Sequence, residues 1–346
     1  MNPQFLELCQ LSRCYVTTSL DYTHAEMEEK SHNYLGGSAE FSVLESTDLD
    51  EYLLLQPGGW DMQITQLTQG AFSSHLRILG LDGLCVYENL WSNACVVQGQ
   101  SPAGWLMIGG VPNPEEAPVT WCGVRTDRRH FAVTAGGEEV DFWVADGSTD
   151  IVVLIDPSLL KKTAGELALD SMLSAKNFDF GDAGSNLIDL ALSMLETFES
   201  EPVLGQRPAI AARARSNLLR VLEDCFSAGD EPSGVDLLHS REEWVQRAVQ
   251  HVADSYGQTT AWEMAQAAGV SQKTLELAFR EALNTTPGRY LMLTRLNHAH
   301  HALTHTSRTD TSVTDVAMSL GFTHMGRFSS AYRTLFHELP SETLTR

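Results

Sequence analysis

Residues 259–291 can be laid over residues 311–344. Ala265, Gly269 and Val270 return 52 positions later as Ala317, Gly321 and Phe322. After one inserted residue the offset becomes 53, pairing Leu275 with Phe328, Phe279 with Tyr332, Leu283 with Phe336, Pro287 with Pro340 and Leu291 with Leu344. A chain that repeats its small, apolar and helix-breaking residues at one period must build two copies of one folding unit.

Each copy reads as a short helix, a sharp turn and a second helix. The first helices, about Ala261–Ala268 and Val313–Leu320, carry an alanine where another helix can approach closely. A glycine follows, which accepts the positive φ that stops a helix abruptly, and the next apolar residue, Val270 or Phe322, plugs the core at the turn. Ser271 is placed to cap a second helix whose Leu275, Phe279 and Leu283 recur every four residues, and Thr323 is placed to cap its counterpart. The outward positions are then Gln272, Lys273, Glu276 and Arg280 in the first copy. In the second they are His324, Met325, Arg327, Ser330 and Arg333. Between the copies, Pro287 opens a helical stretch to about His305, roughly 25 Å long at about 1.5 Å per residue. A spacer of that order sets two reading helices about one DNA turn, roughly 34 Å, apart.

Upstream the texture changes. From Glu51 to Asp156, short alternations such as His75–Ile78, Phe131–Val133 and Val140–Val144 are broken by turn signals at 80–83 and 136–137, which predicts an antiparallel sandwich or barrel. From Leu159 to Phe226 the period is helical, and two or three helices are expected to pack on the sheet or on a second subunit. The polar stretch 227–234 is the linker candidate. The expected class is α+β. A sensory and dimerisation domain spans 1–226 and is β-rich to about 156; a linker spans 227–240; an all-α domain of two helix-turn-helix units joined by a long helix spans 241–346.

Charge follows the same division. The net charge of −22 is confined to the first part, because residues 241–346 hold 10 Lys+Arg against 10 Asp+Glu and 7 of the 12 histidines. A neutral segment permits nucleic-acid binding without arguing for it, so the motif carries the reading. No run of eighteen apolar residues occurs, and Met1–Leu11 lacks the basic start and apolar core of a signal peptide, so a cytoplasmic location without membrane contact is expected. The six cysteines contain no CxxC pair and are read as ordinary thiols. No cofactor, metal centre or catalytic constellation is expected, since no GxSxG, P-loop or dinucleotide fingerprint is present.

The last hundred residues resemble the DNA-binding domain of the AraC/XylS family of regulators. The resemblance rests on Ala265-Gln-Ala-Ala-Gly-Val-Ser271, Phe279-Arg-Glu-Ala-Leu283, Pro287-Gly-Arg-Tyr-Leu291, Arg295-Leu-Asn297 and Gly321-Phe322. The run Gly321–Phe328 with Tyr332, Phe336 and Pro340-Ser341 is similar to the subgroup containing the ethanolamine-operon regulator, whose sensory region Leu67–Asn93 also resembles. The resemblance implies that both second helices enter successive major grooves of double-stranded DNA. The chain is expected to regulate transcription with RNA polymerase as a partner, and the helices from 184 to 226 are expected to pair across a twofold axis in a homodimer. Lys273, Glu276, His324, Met325, Arg327 and Ser330 are then base-edge candidates, with Gln272 beside them. Arg280, Arg289 and Arg333 are phosphate or structural partners. Where the family commonly has arginine after Arg-Leu-Asn, this chain has His298, His300, His301 and later His305, so any phosphate contact there becomes weaker and pH-dependent. The alternatives are surface histidines without a role, or metal binding by the spaced pair His301 and His305.

A small-molecule effector is expected for the first domain, and the subgroup resemblance raises a small amine or alcohol-amine. Trp60, Trp91, Trp105, Trp121 and Trp143 are read as core or pocket lining, with Arg77, Arg125 and His130 as polar candidates. The competing readings are a ligand-binding adaptor whose helical tail makes protein contacts, and an enzyme acting on the sensed metabolite.

Overall fold

The apolar alternation upstream folds as strands in the computed structural model, which describes residues 14–18, 39–113, 115, 118–164, 177–228, 240–306 and 311–345. The strands are β1 Cys14–Thr18, β2 Glu40–Ser46, β3 Asp61–Gln66, β4 Ser74–Gly80, β5 Leu84–Trp91, β6 Cys95–Gln100, β7 Leu106–Gly110, β8 Val119–Trp121, β9 Val124–Arg125, β10 His130–Thr134, β11 Glu139–Val144, β12 Thr149–Ile155 and β13 Asn177–Asp179. They form an eight-stranded sheet in the order β1-β2-β4-β5-β12-β7-β10-β13 and a five-stranded sheet in the order β3-β6-β11-β8-β9. Two separate sheets are the sandwich rather than the closed barrel. At the turn foreseen at 80–83, Leu81 and Leu84 exchange backbone hydrogen bonds of 2.7 and 3.2 Å across Asp82-Gly83, the dipeptide that a two-residue hairpin favours.

The chain divides into two units. The first comprises the chain to Met62, Ser73–Ser92 and Gly99–Val235; the second comprises Asp236–Arg346 with two earlier segments, Gln63–Phe72 and Asn93–Gln98, that the sequence reading places in the first domain. The linker expected at 227–240 falls mostly outside the described residues.

In the first unit the helices are α1 Leu49–Leu55, α2 Pro157–Ala164, α3 Gly181–Ser200 and α4 Pro208–Ala228. Leu187, Ile188, Ala191, Leu195 and Phe198 of α3 and Leu218, Leu222 and Phe226 of α4 pack into one core with Val86, Ile108, Phe131 and Val153 of the large sheet. Each of these side chains larger than alanine contributes about 1.5–3 kcal/mol on burial. Trp91 of that sheet lies edge-on to Phe142 of the small one at 5.9 Å, and within the small sheet Trp121 of β8 stacks on Phe142 of β11 at 4.6 Å. Trp91, Trp121 and Trp143 are buried in the core, and Trp91 also borders a cavity of about 330 Å³ with Ser46, Ser74 and His75. Arg77 is braced between Glu88 at 2.5 Å and Glu199 at 2.9 Å, and His130 bonds Asp127 at 2.9 Å, so their polar ends are spent on structure. Arg125 is exposed at β9. Cys85, Cys95, Cys122 and Cys225 are buried thiols. Among the described residues, no helix is long and apolar enough to cross a membrane.

One polar network interrupts this apolar interior. Asp150 on β12, 1% exposed, accepts hydrogen bonds from Asn89 Nδ2 at 2.8 Å and Trp91 Nε1 at 2.7 Å. Asn89 Oδ1 in turn accepts from Tyr52 at 2.8 Å and Gln56 at 3.3 Å. Burial pushes the Asp150 carboxyl up to about 6 despite these donors, with Glu88 adding to the rise. An acid whose pKa is raised on folding binds its proton more tightly in the native state, so its ionisation opposes folding as pH rises. Stability should therefore fall across roughly pH 4 to pH 6. Urea unfolding at a series of pH values should show this slope in the wild type and lose it in Asp150→Asn.

Candidate nucleic-acid interface

The second unit is built on α5 Ser240–Asp254, α6 Ala261–Ala268, α7 Gln272–Leu283, α8 Pro287–Thr304, α9 Val313–Ser319, α10 Met325–Phe336 and α11 Pro340–Thr343. The first repeat is punctuated at every joint. Thr260 and Glu263 form a capping box that opens α6, and Gly269 closes it at φ 73°. The Val270 N–H then reaches back to the Ala265 carbonyl at 3.0 Å, which satisfies one of the carbonyls a helix end leaves open. Ser271 caps α7 by accepting from the Thr274 N–H at 3.1 Å.

The second repeat reproduces the pattern with Ser312 and Asp315 as the box and Gly321 at φ 85°. Phe322 N–H donates to Ala317 at 2.9 Å, and the Phe322 ring lies 4.9 Å from that of Phe328. One joint differs from expectation. The capping residue of α10 is His324, not Thr323, and its side chain makes no capping bond. The fragment Thr-His offers the hydroxyl one position too early, so the N-terminus of α10 presents its backbone N–H groups without a side-chain acceptor.

Both second helices bury one face and expose the other. Leu275, Ala278, Phe279 and Leu283 of α7, and Phe328, Tyr332, Leu335 and Phe336 of α10, are buried. Gln272, Lys273, Glu276 and Arg280 are exposed, as are His324, Arg327, Ser330 and Arg333, while Met325 is half-buried. The two outward faces differ in charge. On α7, Glu276 and Arg280 hold each other at 2.7 Å, and Glu281 is taken by Arg241 of α5. On α10, Arg327 and Arg333 make no ion pair among the described residues, and neither does Arg289 at the start of α8. A cleft of about 420 Å³ runs between α8 and α10, walled by Arg289 and Arg327 and floored by Met292, Leu293, Leu296 and Leu335. Of the described arginines, Arg289, Arg327 and Arg333 thus lie without an ion pair on α10 and at the mouth of this cleft, while α7 keeps the exposed Lys273.

The linking helix α8 is not the exposed spacer that its histidines suggest. Tyr290, Leu291, Leu293, Thr294, Leu296, Asn297, Ala299 and Leu303 are all buried, so it is wrapped on most sides. His300 is enclosed with its ring 4.6 Å from Phe336 and Nε2 3.4 Å from Glu338, and burial together with nearby His301 holds His298 below the usual histidine range. Only His301 and His305 are exposed, with ring centroids 4.3 Å apart. Arg295 donates to the carbonyls of Gly257 at 2.8 Å and Thr259 at 3.0 Å, which ties α8 to the loop before α6.

Asn297, the last residue of the Arg-Leu-Asn tripeptide, has a role that sequence reasoning missed. Its Oδ1 accepts from the Gln66 N–H and its Nδ2 donates to the Gln66 carbonyl, both at 3.1 Å. The side-chain amide thereby stands in for the neighbouring strand that β3 lacks at that residue. Gly70 N–H adds a 2.9 Å bond to the Leu335 carbonyl of α10. No local pattern announces this, because the partners are 231 residues apart. Asn297→Ala would leave both backbone groups of Gln66 buried and unpaired, and should lower stability by about 2 kcal/mol or more in urea unfolding, whereas His301→Ala should stay within about 0.5 kcal/mol.

Residues 264–346 match a family model described as a helix-turn-helix domain. The XylDLEGF operon transcriptional activator 3 of Pseudomonas putida is 36% identical over 102 residues, 29% of this chain and 31% of that protein. The XylDLEGF operon transcriptional activator of the same organism is 34% identical over 169 residues, 47% of this chain and 48% of its own. The chain thus spans less than half the length of these two curated relatives. Among solved structures, a probable AraC family transcriptional regulator from Rhodopseudomonas palustris is 32% identical, covering 30% of this chain and 95% of that one at a TM-score of 0.28.

Proposed function

We propose that this chain, whose C-terminal helix-turn-helix domain is of the AraC/XylS family, is a transcription regulator that reads double-stranded DNA with α7 and α10 in successive major grooves. The observation that carries the reading is the doubled unit itself: two capped, glycine-turned helix pairs lean on one buried helix, and each turns a polar second helix outward. A single pair of this kind is ordinary helical packing, but two at a fixed spacing have the form that recognition of two grooves requires.

The roles divide by charge. Arg327 is suited to the N7 and O6 of a guanine through two hydrogen bonds, and Arg289 and Arg333 to phosphates on either side of it. Lys273 is the cation that α7 offers. Because Arg280 and Glu276 occupy each other, they set the shape of the α7 face more than its charge. The full reading includes a small-molecule effector bound by the first unit, of the amine or alcohol-amine class raised by the ethanolamine-regulator resemblance. It also includes a homodimer in the cytoplasm, acting with RNA polymerase on a metabolic operon. The names of the relatives, operon activators, support activation over repression.

The test uses the full chain. Duplexes selected from a randomised library should bind tightly and weaken steeply with salt, since each neutralised phosphate releases counterions. Arg327→Ala should cost about 10-fold or more and relax the sequence preference at one base pair, whereas Arg333→Ala should weaken all duplexes alike and flatten the logarithmic salt slope by about one. If no duplex is enriched at low salt, the helical unit makes protein contacts instead and the adaptor reading takes over.

A further inference from the structure

On α7 the buried positions Leu275, Ala278, Phe279 and Leu283 mark the inward face, and at about 100° per residue Leu277 lies roughly opposite them. It is 53% exposed, at the centre of the outward face. Its neighbours on that face are Lys273, Glu276, Arg280 and Glu281. Glu276 and Arg280 hold each other and Glu281 is held by Arg241 of α5, so three of the four charged ends beside this apolar side chain are engaged by ion pairs. Neither the fold nor the repeat asks for leucine there. With Leu275 matched to Phe328 and Phe279 to Tyr332, the counterpart of Leu277 is Ser330, which is also exposed.

We propose that Leu277 is a specificity-determining residue that reads a thymine through its 5-methyl group in the groove entered by α7. The inference rests on the regulator reading above and deepens it. A leucine cannot hydrogen-bond, and the thymine methyl is the apolar feature that a base pair offers in the major groove. An isobutyl side chain on the axis of a reading helix therefore selects an A·T pair at the centre of the first half-site and disfavours cytosine in the same place, where an amino group would lose its water to an apolar surface. The two halves of the operator then differ in kind. The α7 half is recognised by an apolar contact beside the Glu276–Arg280 pair, and the α10 half by the guanidinium of Arg327.

The experiment begins with duplexes selected from a randomised library by the full wild-type chain, in which one thymine should be invariant in the first half-site. Replacing that thymine by uracil removes the methyl and keeps the base pairing. It should weaken wild-type binding about four-fold, the loss expected for one methyl group taken out of contact. Leu277→Ala should bind the thymine duplex weaker by at least the same factor and should not distinguish thymine from uracil, while Leu277→Met should keep the discrimination. Since the side chain lies outside the core, thermal unfolding of the variants should match the wild type. The inference is overturned if uracil is tolerated throughout the first half-site, or if Leu277→Ala pays the same penalty for uracil as the wild type. It is also overturned if the variant keeps its DNA preference and instead loses self-association in sedimentation. Failure to enrich any duplex would fall on the regulator reading itself, so the two failures are distinct.

Discussion

A helix that is apolar around most of its circumference is stable only where something packs on most of its sides, and α8 imposes that condition on the whole second unit. Tyr290 and Leu291 meet the first repeat, where Tyr290 stands edge-on to Phe279 at 5.6 Å. Further along, His300 lies among Tyr332 and Phe336 of the second repeat. Neither repeat is large enough to bury its own apolar face. Sharing one helix solves that problem for both and fixes their separation, because about 1.5 Å per residue leaves no slack along α8. The spacing of the outward helices is therefore a property of the core, and a change of packing at α8 would be felt at α7 and α10 together.

Electrostatics in this protein work by subtraction. An acidic chain would repel a phosphate backbone, yet residues 241–346 have as many cations as anions and engage several of the cations internally. Arg241, Arg247 and Arg280 are spent on glutamates and Arg295 on backbone carbonyls, which among the described residues leaves Lys273, Arg289, Arg327 and Arg333. Exposed pairs of this kind add little to stability, about 0–1 kcal/mol each. Their larger consequence is selective: Arg280 is held by Glu276 on α7, where Lys273 remains, while Arg327 and Arg333 of α10 make no ion pair among the described residues. A segment with no net charge can still present a directed field when its ion pairs are unevenly placed.

The helix-turn-helix units were legible in the sequence because their signals are local. Alanine, glycine, a capping serine and an apolar residue every four positions each act within a turn or two of the chain. The sandwich was legible in part, since alternation declares strands but does not say whether they close. The cap of α10 was misread because Thr323 and His324 are adjacent, and one residue decides which has the extended backbone. Burial was the harder quantity. The histidines of α8 looked like a polar face, whereas Ala299 and Leu303 draw that stretch into the core and take His298 and His300 with it. The outward face of α7 was read from its charges, which passed over Leu277. The Asp150 network and the Asn297 amide were beyond local reading, because each depends on partners brought close only by the finished fold.

The Asn297 amide also ties distant parts of the chain into the second unit. Gln63–Phe72 and Asn93–Gln98 belong to the second unit, yet β3 and β6, which run through them, begin or end in the first. The chain therefore passes between units at 62, 72, 92 and 98 as well as through the linker region. Asn297 grips Gln66 from the middle of α8, and Gly70 grips Leu335 at the end of α10. A shift of the 63–72 segment would thus be felt within the second unit both at the one helix that the repeats share and at the end of α10, the two places where its backbone groups are held.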